Sequence, residues 1–82
     1  MSRANILKAL EEANENYILA LEDAMEGYEM AEMPTKIGRT RFNVLRNKNG
    51  YTVLERDDVI LSIPPFFTYD YMAKIILTAM KY

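Results

Sequence analysis

The most distinctive spacing in this sequence belongs to its carboxylates. Glu11, Glu15, Glu22, Glu26 and Glu29 recur at intervals of three, four and seven residues. On a helix turning about 100° per residue, they fall on a strip about 60° wide. Glu12 and Asp23 sit beside that strip, and Leu19 and Met30 project from it. An evenly charged rod of this kind presents anions much as a nucleic-acid backbone does, and it complements a basic groove. Glu11, Glu15, Leu19, Glu22, Asp23, Glu26, Glu29 and Met30 therefore form the candidate partner-binding face. A solubilising helix face is the plainer account of the same residues.

A second set is basic. Arg39, Arg41, Arg46, Lys48 and Arg56, with Lys36 nearby, are interleaved with Phe42 and Tyr51. Cations and aromatics on strands can hold a phosphate backbone and stack bases. The two sets divide the chain. Residues 1–34 hold two basic and eight acidic side chains, whereas residues 35–82 hold eight basic and four acidic ones. The whole carries a net charge of −2.

Much other chemistry is excluded by composition. There is no cysteine and no histidine, which removes thiolate and imidazole nucleophiles, bases and metal ligands. Glu55, Asp57 and Asp58 are close in sequence, but successive residues of a turn do not converge on an ion. No phosphate loop or catalytic-serine motif is present, so no catalytic residue, metal or cofactor is assigned, and an enzyme is not expected. A small cysteine-free chain points to a reducing compartment, the cytoplasm. The longest apolar runs are too short to span a bilayer.

The elements that position these residues follow from periodicity. The 82 residues make one domain, 1–82. Ser2 can cap a long helix over about 3–31, whose apolar arc includes Ile6, Leu10, Tyr17, Ile18, Leu21 and Met25. Ala9, Ala13, Ala20, Ala24, Gly27 and Ala31 make a small-residue strip where a second helix is expected to cross. Gly27 is an alternative, earlier stop. Residues 35–38 read as a connector. Three strands follow at about 39–46, 51–56 and 59–63, with Asn49-Gly50 marking the first hairpin and Asp57-Asp58 the second turn. Pro64-Pro65 ends the sheet. Thr68 can cap a second helix over about 68–81. The expected fold is α+β, a two-layer α-β-β-β-α domain with a three-stranded antiparallel meander.

Strict alternation along those strands puts Phe42, Val44, Tyr51, Val53 and Ile60 on one face. Leu45, Leu54, Val59, Leu61 and Ile63 fall on the other. If both helices cover one face, Leu45, Leu54 and Leu61 become a candidate homodimer patch.

The helix–meander–helix order is also that of double-stranded RNA-binding domains. Those begin their second helix with lysines, where this chain has Phe67, Thr68, Tyr69, Asp70 and Tyr71. In size, acidity, lack of cysteine and layout, the chain more closely resembles small phage-encoded inhibitors of the anti-CRISPR type. That resemblance rests on no motif and transfers no residues. It implies a cytoplasmic, non-enzymatic inhibitor that occupies the nucleic-acid-binding surface of a host nuclease. Direct nucleic-acid binding through the basic strands, or homodimerisation through the sheet, are the alternatives.

Overall fold

The computed structural model describes residues 2–80. The order is α1 (Arg3–Met25), β1 (Thr35–Lys36), β2 (Phe42–Asn47), β3 (Gly50–Glu55), β4 (Asp58–Ile63) and α2 (Tyr69–Ala79). The four strands form one antiparallel sheet in the order β1-β2-β3-β4. The fold is α+β, with four strands where the sequence pattern indicates three.

Both helices begin as their caps dictate. The Ser2 hydroxyl accepts from the Asn5 N–H at 3.3 Å, and the Thr68 hydroxyl from the Tyr71 N–H at 3.2 Å. The two helix starts are joined by Arg3 and Asp70, at 2.5 Å. Both groups are largely exposed, so this pair is worth no more than about 1 kcal/mol. Lys81, in the expected second helix, lies outside the described residues.

α1 stops earlier than the 3–31 range. Gly27 takes a φ of 97°, in the left-handed region that a Cβ disfavours. The Tyr28 N–H then donates to the Asp23 carbonyl and the Gly27 N–H to that of Ala24, the paired bonds of a Schellman stop. Glu29 and Met30 are consequently not helical.

The unpredicted strand β1 comes from the presumed connector. Thr35 pairs with Val44 and Lys36 with Asn43. Two residues are too few to show a period, so the pattern gives no sign of them. Part of the alanine side of α1 lies by this strand and its connector, Ala9 sharing a groove with Lys36 and Gly38, while Ala9 and Ala13 also belong to the core that holds Met72, Ala73 and Ile76 of α2. Asn16 donates to the Thr35 hydroxyl at 3.3 Å, and Asn5 lies against Gly38.

The helices share one face of the sheet, α1 over β1 and β2, α2 against α1 and β4. Ile6, Leu10, Ile37, Val44, Val53, Met72 and Ile76 are the fully buried centre. A bulge opposite Val53 and Leu54 reorders β4. Leu61 pairs with Val53 and Ile63 with Tyr51, so both sit on the core face, and Ile60 is the extra residue. The Leu45–Leu54–Leu61 patch is therefore corrected: Leu61 packs against the core, and Val59 joins Leu45 and Leu54 on the outer face.

The first hairpin turns at Lys48-Asn49, with Asn47 and Gly50 paired across it. The Asn47 side chain accepts from the Asn49 N–H at 2.9 Å, which fixes the turn. The second turns at Arg56-Asp57, one residue earlier than the Asp57-Asp58 reading.

Gly50 and Gly27 separate two costs of adding a Cβ. At Gly27 (φ 97°) a methyl meets nothing within 4 Å, so Gly27→Ala costs only backbone strain, about 1 kcal/mol. At Gly50 (φ 124°) it would lie 2.1 Å from the Ile63 carbonyl oxygen. Gly50→Ala is expected to cost about 3 kcal/mol or more in urea unfolding, because β3 and β4 must separate. Equal costs for the two variants would contradict the β3–β4 approach.

Candidate functional site

The acidic surface is built in two pieces. α1 supplies Glu11, Glu12, Glu15, Glu22 and Asp23, all exposed, and Glu26 follows as its C-cap. Glu11 and Glu26 are about 22 Å apart along the axis, at 1.5 Å per residue. After Gly27 the chain turns back along the helix. Glu29, Ala31 and Met33 border a shallow groove of about 200 Å³ whose other wall is Asn16, Leu19, Ala20 and Asp23. Glu29 thus rejoins the acidic surface from the return segment, not from the helix. Leu19 remains apolar and exposed within it, at 57%, with Met33 across the groove at 55%.

Met30 goes to the opposite side. With Glu32 it faces Tyr17, Leu21 and the Asn47–Asn49 turn across a second groove of about 390 Å³. The assignment of Met30 to the acidic strip is therefore corrected: alternation along the extended segment separates it from Glu29.

The acidic residues are unneutralised. From Ala9 to Thr35 there are eight carboxylates and no basic residue. Among the described residues the ion pairs are Arg3–Asp70 and Arg41–Glu55, neither of which involves them. No group of three or more Asp, Glu, His or Cys side chains is placed to hold a metal ion among the described residues.

The basic set is dispersed by the same fold. Arg41 is bonded to Glu55 at 2.6 Å, and its guanidinium lies 5.0 Å from the Phe42 ring. Arg56 is adjacent, its N–H donating to the Arg41 carbonyl. Lys48 lies at the other end of the six-residue β2–β3 ladder, about 20 Å away at strand rise. Arg39 is exposed in the β1–β2 loop.

Arg46 turns to the helix side. Its guanidinium stands 4.5 Å from the Tyr17 ring centre and 5.2 Å from that of Tyr51. It donates from Nη1 to the Asn47 carbonyl, and its Nε is buried with no hydrogen-bond partner among the described residues. A guanidinium engaged this way is structural. Spacing alone cannot distinguish it from an exposed arginine on the same strand.

Tyr51 continues this stack. Its hydroxyl donates to that of Tyr69 at 3.3 Å, and the rings meet edge to face, centroids 6.2 Å apart. A further aromatic group, not among the sequence candidates, is exposed between β4 and α2. Phe66 and Phe67 lie 4.9 Å apart, and Phe67 and Tyr71 5.0 Å. The Pro-Pro-Phe-Phe run was the available signal.

Among the described residues, Leu19, Met33 and the α1 carboxylate of Asp23 line an open groove. The fold is α+β, with an exposed acidic and apolar surface at the C-terminal end of α1. No protein-family model, no curated protein and no solved structure matches the chain.

Burial first, and then the hydrogen bond with Tyr69, push the Tyr51 phenol well above its ordinary value of 10.0, against an opposing pull from Arg46. The folded state therefore holds this proton more tightly than the unfolded chain. The stabilisation is complete below about pH 10 and is lost as pH rises beyond it. The urea midpoint is expected to fall more steeply above pH 10 in the wild type than in Tyr51→Phe. Parallel curves would show that Tyr51 is not held as a buried phenol.

Proposed function

We propose that this chain is a non-enzymatic protein-binding module whose acidic end occupies the basic, nucleic-acid-binding surface of a partner protein. That is the action of a phage-encoded nuclease inhibitor of the type the layout resembles. The carrying observation is the run from Ala9 to Thr35, with eight carboxylates, no basic residue and no ion pair among the described residues. A merely solubilising face needs no apolar centre. Here Leu19 and Met33 stand exposed between Glu15, Glu22, Asp23 and Glu29, where contact with a partner would remove them from water. The charges then speed encounter and set orientation, while the apolar pair slows release.

The basic residues support direct nucleic-acid binding poorly. Arg46 is engaged by two rings and Arg41 by Glu55, which leaves no continuous cationic track.

The test is a salt-graded pull-down from host lysate. Wild type is expected to recover a nucleic-acid-handling protein that elutes as ionic strength rises. Glu22→Lys/Glu26→Lys should weaken that capture at least about tenfold, with an unchanged thermal midpoint. Leu19→Ala should shorten the residence time, and Arg39→Ala/Arg41→Ala should have no effect. Undiminished capture by the charge-reversed variant would refute the acidic-end reading.

A further inference from the structure

The sheet has two edges of unequal character. β1 is two residues long, whereas β4 is six. β4 pairs with β3 on one side, and no other backbone hydrogen bond involves it among the described residues. Its interior, Val59 to Ser62, has no charge and no proline, two of the usual protections of an open edge. Val59 and Ile60 are exposed. The bulge at Ile60 bends the strand but leaves Leu61–Ile63 regular.

The two ends of β4 are chemically complementary. Before it lies Arg56, at a φ of 58°, the one non-glycine residue with positive φ among the described residues. Glycine would relieve about 1–2 kcal/mol of strain there, so the turn holds its cation at a cost. Arg56 is exposed, and its side chain makes no ion pair or hydrogen bond among the described residues. Beyond the other end lie Phe66, Phe67 and Tyr71, a connected aromatic cluster with Phe66 78% exposed. Such rings present electron-rich faces that attract guanidinium groups.

We propose that the chain pairs with a second copy of itself along β4, antiparallel about a two-fold axis near Leu61. With residue 61 opposite its own copy, residue 58 at the start of one strand stands opposite residue 64 just past the end of the other, so the Arg56 turn lies beside the segment that carries Phe66. Each copy's Arg56 turn then meets the other's aromatic cluster, and the contact is made twice. A two-fold interface must be self-complementary in this manner. An unrelated extended peptide could satisfy the β4 backbone but would not bring a cation to the cluster. Antiparallel pairing also holds the two Asp58 carboxylates at opposite ends, whereas parallel pairing would align them. The result is one continuous sheet of eight strands. Because α1 lies over β1 and β2, the acidic ends stay free at the far sides, and the dimer is bivalent.

The purified chain can be tested alone, so the outcome is independent of the partner. Sedimentation equilibrium from about 5 to about 500 μM should show the mass rising from 9.5 kDa towards twice that value. Arg56→Gly should raise the dimer dissociation constant about tenfold or more while the thermal midpoint stays level or increases, which excludes misfolding as the cause. Phe66→Ala should have the same effect on association, and the double variant should lose no more than either single one. Ile60→Lys should leave a folded monomer by circular dichroism. A wild type that stays at 9.5 kDa throughout would overturn the proposal, as would a dimer indifferent to both Arg56→Gly and Phe66→Ala.

Discussion

A guanidinium half-buried between two tyrosines organises this fold. Arginine does not give up its charge on burial, so the Arg46 cation must be compensated where it lies. Tyr17 of α1 and Tyr51 of β3 supply ring faces, and the Asn47 carbonyl takes one N–H. Each ring contact is worth about 0.5–2 kcal/mol, depending on how far water is excluded. Tyr51 then engages Tyr69 of α2. One cation thereby fixes the relative positions of both helices and the central hairpin. It also sets the rotation of α1: with Tyr17 turned to the sheet, the acidic strip must face outward.

That rotation combines with a mismatch of lengths. A helix of 23 residues is about 35 Å long, whereas a six-residue strand spans about 20 Å. The C-terminal part of α1 therefore overruns the sheet, which explains why Ile18, Leu21 and Met25 are exposed despite their apolar spacing. The overhang is flanked by the return segment folded back after Gly27 and, beside Leu21, by the Asn47–Asn49 turn. The acidic and apolar character of this end thus follows from the architecture as much as from composition.

Local chemistry made much of the fold legible in the sequence. The caps at Ser2 and Thr68, the Asn49-Gly50 hairpin and the stop at Pro64-Pro65 each act within a few residues, and each appears in the structure. The features that escaped depend on distant partners. β1 exists because Val44 and Asn43 pair with it. The bulge in β4 reverses the faces of Leu61 and Ile63, and a period-two count cannot register one inserted residue. The spacing allows a helix stop at Gly27 or at about residue 31, and the left-handed conformation at Gly27 decides between them. Of the candidate surface, the charges on α1 could be read from spacing. The arrival of Glu29 from a non-helical segment, and the departure of Met30, could not.

The Tyr17–Arg46–Tyr51–Tyr69 stack has an optical consequence. The chain has no tryptophan, so tyrosine dominates its near-ultraviolet absorption and dichroism. Rings held rigidly around a cation and edge to face with one another become chiral chromophores only when α1, the hairpin and α2 have closed together. The near-ultraviolet band therefore reports the docking of three elements, whereas the far-ultraviolet band reports the helices themselves. A state that keeps the second and loses the first would be one in which the helices have formed but have not yet settled on the sheet.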